Sequence, residues 1–307
     1  MTQENLISVV ICTYNGEPFL REQLDSILNQ TWINLEIIIS DDRSTDATLT
    51  IAHEYAARDL RIKIFKNDSN LGLKKNFERA LGYASAEWIA ISDQDDIWLP
   101  KKIEKLVEAI IPGSLMVHSY NAEFQEEANA SVIHWKRKRF HGSNTRELIF
   151  HNTIYGHTVL VHRKLVRLSL PFPPNVYYDY WLGLIASLHG SVSLSNESLV
   201  LHREHQLNYS RAEGYTPQNK KAFFKEKCLM LKEMLNIDGL NKDQKNFIEE
   251  FYLLIKKESQ KKFSIPVLLF FLRQASTAFY YVNKKPKLFY YLKYSFKRAT
   301  MKLKHWY

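Results

Sequence analysis

Cysteine is nearly missing from this chain: Cys12 and Cys228 are the two in 307 residues, and they lie far apart. That usage excludes a disulfide framework and points to a reducing compartment. No Gly-x-Gly-x-x-Gly follows the first apolar run, and no Walker-type lysine loop occurs, which argues against a dinucleotide oxidoreductase or a P-loop enzyme. Met-Thr-Gln-Glu-Asn precedes the first apolar run without the basic and long apolar regions of a signal peptide, so the expected location is the cytosol. Long apolar runs are scarce too. Residues 263–282 come nearest, but Pro266, Arg273 and Gln274 make them a poor transmembrane span. Acids are thin in the C-terminal part, where residues 215–307 hold 20 Lys+Arg against 7 Asp+Glu, a net of +13, while the rest nets −4. Such a basic block with interleaved aromatics suits an anionic membrane or nucleic acid.

What is present is ordinary globular material, 45% hydrophobic and 24% charged, enough for one large domain or two modest ones. Leu6–Cys12 is almost wholly apolar and rich in β-branched residues, the pattern of a strand buried on both faces of a parallel sheet. Leu20, Leu24, Ile27 and Leu28 then recur at helical spacing after Pro18. Strands are predicted again at 35–40, 61–65 and 88–91, with helices from Thr45-Asp46 to about Ala57 and over Leu73–Ala84. Four such units specify a doubly wound α/β layer.

Polar residues gather after three of these strands: Thr13, Tyr14 and Asn15, then Asp41 and Asp42, then Asp93, Asp95 and Asp96. All three clusters fall at the carboxyl edge of the predicted sheet, where α/β proteins bind ligands. The Ser92-Asp93-Gln94-Asp95-Asp96-Ile97-Trp98 stretch crowds three carboxylates where a strand is expected to give way to a helix. An acidic turn capping that helix is the plain reading. A divalent cation, Mg²⁺ or Mn²⁺, would relieve the repulsion and hold phosphate in a site without a glycine-rich cradle.

These motifs, in this order, resemble the nucleotide-sugar-binding half of glycosyltransferase family 2 over Ile7–Leu106: the strand ending Thr13-Tyr14-Asn15, Asp41-Asp42-Arg43-Ser44-Thr45-Asp46, Asn70-Leu71-Gly72, and Asp93-Gln94-Asp95-Asp96. The Ser-Asp-Gln-Asp-Asp-Ile-Trp form is similar to a subset that includes bacterial rhamnosyltransferases. The resemblance implies a GT-A fold, an α/β mixed sheet, with a C-terminal helical extension, and a nucleotide diphosphate sugar as donor, first of all dTDP-rhamnose. It implies that Thr13, Tyr14, Asn15 and Asp41 line a base pocket and that Asp93 meets the ribose side. Asp95 would ligate the metal, Asp96 could share either role, and Arg203 or His205 could contact diphosphate or metal. In such enzymes an acid like Asp179, in Tyr177-Tyr178-Asp179-Tyr180-Trp181-Leu182, acts as base on the acceptor hydroxyl. Its apolar neighbours would raise its pKa usefully, although a helix N-cap is the simpler role.

The expected division is 1–212 for catalysis, with 1–110 for the donor and 111–212 for the acceptor, and 213–307 as a basic, aromatic helical extension. The Trp135–Arg139 run is expected to face water, and Asn152–Thr158 to lie near the acceptor. In the tail, Phe223, Cys228, Leu231 and Leu235 suggest one helix, and Phe247, Phe251, Leu254 and Ile255 another. Residues 263–282 read as an in-plane amphipathic anchor, or else as a helical cap on the catalytic domain or a second copy of the chain. The resemblance and the basic tail together imply an inverting, metal-dependent glycosyltransferase acting at the cytosolic membrane surface on a saccharide acceptor, lipid-linked, in cell-surface polysaccharide synthesis. A sugar nucleotidyltransferase lacks its usual glycine-rich loop here, and a nucleic-acid-binding protein leaves the aspartates unexplained.

Overall fold

A computed structural model describes residues 2, 4–125, 133–134, 138–205, 220–258, 263–281 and 287–299. Trp135–Arg137, Gln206–Asn208, the lysines at 284 and 285 and the last residues of the acidic 123–129 stretch lie outside that set.

The first half follows the alternation: β1 (Ile7–Thr13), α1 (Leu20–Leu28), β2 (Leu35–Asp41), α2 (Thr48–Ala56), β3 (Ile62–Lys66), α3 (Leu73–Tyr83) and β4 (Trp88–Ser92). Every residue of β1, β2 and β4 is buried, which is why their sequences show continuous apolar runs instead of alternation. They pair in parallel with β3 in the order β3-β2-β1-β4. Leu20, Leu24 and Ile27 of α1 and Ile51, Ala52 and Tyr55 of α2 pack into the same core as Ile7, Val9 and Ile37.

The second half is mixed. It comprises β5 (Ile97–Trp98), α4 (Lys102–Glu108), β6 (Ser114–Gln125), β7 (Ile133–His134), α5 (Thr145–Phe150), a 3-10 turn at Gly156–Thr158, β8 (Val159–His162), α6 (Arg163–Ser169), α7 (Tyr178–His189) and β9 (Ser191–Glu204). The nine-stranded sheet continues β4-β8-β6-β9-β5, with β7 beside β6. Here β8 runs antiparallel to both β4 and β6, and β9 runs parallel to β6. The strand and helix expected to meet directly after the aspartates are separated by β5, which pairs antiparallel with β9 in the register Ile97↔Leu201 and Trp98↔Val200.

The chain forms two compact units, one of Met1–Asn144, Thr153–Phe172 and Tyr177–His205, the other of Thr145–Asn152, Pro173–Val176 and Gln206–Tyr307. Two short pieces of the expected acceptor half thus belong with the C-terminal helices. The second unit contains α5, α8 (Lys220–Met234), α9 (Lys242–Glu258), α10 (Ile265–Arg273), α11 (Ala275–Ala278) and α12 (Lys287–Ala299). Its centre is aromatic: Phe150 meets Phe247, Phe251, Phe270 and Phe271 at ring-centroid distances of 5.2 to 6.1 Å. Half of the segment read as an in-plane anchor is therefore core, with Val267, Phe270 and Phe271 buried. Ser264 caps α10 by accepting from the Val267 N–H (3.2 Å), and Pro266 fits its first turn. No helix among the described residues is long and apolar enough to cross a membrane.

Candidate active site

Three loops at the carboxyl ends of β1, β2 and β4 are laced together by hydrogen bonds. Asn15 and Arg43 both sit in the left-handed region, at φ 46° and 64°, a conformation that asparagine tolerates better than arginine. The Asn15 N–H donates to Ser44 Oγ (2.9 Å) and its Oδ1 accepts from the Thr45 N–H (2.8 Å), so each turn holds the other in place. Gln94 joins them to the third loop: its Oε1 accepts from the Tyr14 N–H (2.9 Å) and its Nε2 donates to the Tyr14 carbonyl (3.1 Å).

Asp41 is tied into the loops themselves. It is fully buried, and its oxygens accept from Thr13 Oγ1 (3.0 Å), Ser44 Oγ (2.5 Å) and the Ser44 N–H (2.9 Å). Asp42 is likewise occupied, by Asn67 Nδ2 (2.9 Å) and by the N–H groups of Leu71 and Gly72 (2.8 Å each), which fixes the Asn70-Leu71-Gly72 turn. Both acids shape the loops, and Tyr14, 49% exposed, is the member of the first cluster with an open aromatic face.

The β5–β9 register brings the third acid cluster against the end of β9. His202 Nδ1 lies 2.8 Å from Asp96 Oδ1 and His205 Nε2 lies 2.9 Å from Asp95 Oδ2. The imidazole of His157, from the 3-10 turn, stacks on His202 at 4.6 Å and 2°. Its Nδ1 is 3.6 Å from Asp93 Oδ2 and 3.8 Å from Asp96 Oδ2. Buried Lys102 donates to the His157 carbonyl (2.8 Å) and caps the Trp98 ring at 3.3 Å, fixing that turn from below. Arg203 is buried between Phe19 and Phe124, where it bonds the Asp95 carbonyl (3.1 Å) and pairs with Glu22. It holds the acid loop against α1.

Charge in this cluster is unbalanced. Burial, then Asp96 and Asp93, pushes the Asp95 carboxyl up to about 8. Burial also pushes Asp96 upward, but His157 and His202 outweigh it and hold Asp96 below the usual carboxylate range. His202 is driven down by burial yet raised to about 9 by Asp96. Asp96 Oδ2 and His157 Nε2 are buried without a hydrogen-bond partner among the described residues. An acid oxygen left bare in a ring of acids and imidazoles is what a divalent cation fits. Two ligand sets are available: Asp95 with His205, or Asp96, His157 and His202, whose ligand atoms lie within 4.8 Å of one another.

Asp179 stands in the first turn of α7, two residues past the N-cap Tyr177, and so is not the cap. Its Oδ2 accepts from the Gly156 N–H (3.2 Å) and its Oδ1 from the Tyr180 N–H (2.6 Å). Burial raises its pKa to about 6, the two N–H groups restrain the rise, and Asp93 adds to it. Asp93 is therefore near enough for its charge to reach Asp179. Arg139, from the run expected to face water, is buried instead and bonds Asn121 Oδ1 (2.8 Å) and the Thr153 carbonyl (3.1 Å).

The sequence by itself assigns no individual role to His157, His202, Gln94 or Lys102. A signal existed for His202, since His202-Arg203-Glu204-His205 places two imidazoles three residues apart at the end of an apolar run.

The sequence profile of the family described as Glycosyl transferase family 2 matches residues 8–167. An uncharacterized glycosyltransferase of Haemophilus influenzae is 29% identical over 300 residues, covering 87% of this chain and 90% of that one. The UDP-Glc:alpha-D-GlcNAc-diphosphoundecaprenol beta-1,3-glucosyltransferase WfgD of Escherichia coli is 30% identical over 181 residues, 59% of this chain and 70% of that one. In fold, the chain is similar to Staphylococcus aureus TarS 1-349 in complex with UDP-GlcNAc, with a TM-score of 0.63 and 19% identity over 95% of this chain and 81% of that one. With the profile running from β1 into α6, across more than half of its length, this chain belongs to glycosyltransferase family 2.

Proposed function

We propose that this glycosyltransferase is an inverting enzyme of glycan synthesis that moves a sugar from a nucleoside diphosphate to a saccharide hydroxyl, with Asp179 as general base. One observation carries the reading: Asp179 bonds the Gly156 N–H, and the next residue, His157, faces Asp93 and Asp96. The lone acid and the acid cluster thus both touch one turn, which supports a common site. The acceptor oxygen gives its proton to Asp179 as it attacks the anomeric carbon, and the bond to the diphosphate breaks on the opposite face with its electron pair. The stereochemistry parallels that of inverting glycosidases, with a sugar hydroxyl in place of water. A Mg²⁺ or Mn²⁺ ion held by Asp95 and His205, or by Asp96 with His157 and His202, would supply Lewis-acid neutralisation of the departing diphosphate. Tyr14 offers its ring to the base.

The UDP-Glc in the name of WfgD and the UDP-GlcNAc bound to TarS support a nucleotide-sugar donor, and the diphosphoundecaprenol in the former supports a lipid-linked acceptor. Rhamnose from dTDP-rhamnose is the sugar that the Asp-Gln-Asp-Asp stretch suggests. Thermal shift of the purified protein with Mn²⁺ against UDP-Glc, UDP-GlcNAc and dTDP-rhamnose tests the donor. One of them at 100 times its Kd should add about 2.7 kcal/mol of stability, several degrees in Tm, and lose most of it in EDTA. A flat response to all three would remove the reading.

The helical unit supports action at a membrane surface. Ile265 and Leu269 of α10 and Leu288, Phe289, Leu292 and Phe296 of α12 are 49 to 70% exposed. Lys287 and Lys293 are exposed on the same α12 helix. Apolar residues beside lysines are the pattern of a surface that dips into anionic lipid. The double variant Phe289→Ser/Phe296→Ser should sediment with anionic liposomes at least about tenfold more weakly, since each phenyl contributes on the order of 1.5 to 3 kcal/mol when buried. Unchanged sedimentation would exclude this face from membrane binding.

A further inference from the structure

We infer that the Tyr178 hydroxyl binds a hydroxyl of the sugar being transferred and so helps set which sugar nucleotide the enzyme accepts. The inference rests on the reading of Asp179 as base and of Asp93–Asp96 as the donor side. Tyr178 opens α7 immediately before Asp179 and is only 8% exposed. Yet its phenol oxygen has no hydrogen-bond partner among the described residues. The ring is buried while the oxygen at its tip is left open, so a ligand hydroxyl can bond it without displacing a protein partner.

Packing sets where the ring lies. It packs on Phe77 at 4.5 Å and on Phe172 at 6.1 Å. Its tip lies against Gly156: a Cβ built there would come within 2.0 Å of the phenol oxygen and 2.7 Å of Cζ. Glycine is therefore required at 156 by close approach, and the phenol is held beside the backbone that joins Asp179 to His157. Burial, followed by the charges of Asp93 and Asp179, pushes its pKa up, so it is a neutral donor and acceptor. Between a base on one side and the diphosphate acids on the other lies the sugar ring itself. A site that hydrogen-bonds a sugar hydroxyl discriminates strongly against donors lacking or inverting it.

The test uses the full chain and Tyr178→Phe, which keeps the ring packing and removes only the oxygen. Kd values are measured with Mn²⁺ for UDP-Glc and UDP-GlcNAc against UDP, and for dTDP-rhamnose against dTDP. The expected result is a nucleoside diphosphate affinity within about twofold of wild type, with the preferred sugar nucleotide weakened about tenfold, the value of one hydrogen bond. Gly156→Ala, which displaces the phenol, should show the same selective loss. The inference is overturned if Tyr178→Phe keeps the wild-type ratio between sugar nucleotide and nucleoside diphosphate, or if both weaken together, which would make the hydroxyl part of the loop framework. A wild-type protein that binds neither pair strikes the donor reading itself and takes this inference with it.

Discussion

Asp179→Asn should lower turnover by about three orders of magnitude while leaving the Kd for a nucleotide sugar within about threefold of wild type. The carboxylate is partly buried, with a pKa near 6, so at neutral pH it is mostly ionised and still basic enough to accept a proton. Asparagine keeps the volume and can still accept from one of the two N–H groups that fix the side chain. It cannot take the acceptor's proton. The pH dependence gives the sign. A base must be ionised to act, so wild-type kcat/KM should fall as pH drops through about 6 and level off above it, and the residual rate of the variant should lack that limb. Pre-steady-state kinetics with a saturating donor would separate chemistry from binding. A variant that turns over normally but has lost donor affinity would place Asp179 on the donor, and the mechanism would have no base.

The parts of this molecule that sequence reveals are those whose cause is local. Continuous burial on both faces writes itself into β1, β2 and β4 as apolar runs, and the helices between them carry their own periodicity. The second half is built by pairings distant in sequence. Two-residue β5 is a strand only because β9 lies beside it, roughly a hundred residues later, and no local pattern marks it. The same pairing assembles the acids with His202 and His205, which is why the aspartates were legible as a cluster and His202 was not. Asp41 and Asp42 show the converse. Their spacing after a strand is that of ligand-binding residues, but acids that accept backbone N–H groups in a turn have the same spacing, so the loop bonds they make are not legible from it. Arg139 read as one more charge in a basic run because nothing local announces Asn121 as its partner. In the helical unit, periodicity places Phe247, Phe251 and Phe270 on helix faces correctly, while the choice between a lipid surface and a protein core for residues 263–282 depends on Phe150, from a different part of the chain.

Asp95→Ala should abolish the Mn²⁺-dependent part of donor binding, a loss on the order of 100-fold or more by titration calorimetry with and without the ion. The two ligand sets make different demands on the histidines, and that difference decides where the ion sits. If Asp95 and His205 hold it, His205→Gln should lose the Mn²⁺ effect, while His202→Gln disturbs only the bond to Asp96. If Asp96, His157 and His202 hold it, His202→Gln should lose the effect, and His205→Gln should cost little beyond its 4.4 Å stack on Phe19. Asp95→Ala separates the sets as well. In the second case it would remove a neighbouring negative charge without removing a ligand, and most of the Mn²⁺ dependence would survive. Manganese has a paramagnetic signal, so electron spin resonance of the bound ion in each variant gives an answer that does not depend on turnover. Retention of full Mn²⁺-dependent donor binding in Asp95→Ala, His205→Gln and His202→Gln alike would show that the aspartates meet the nucleotide without a metal between them.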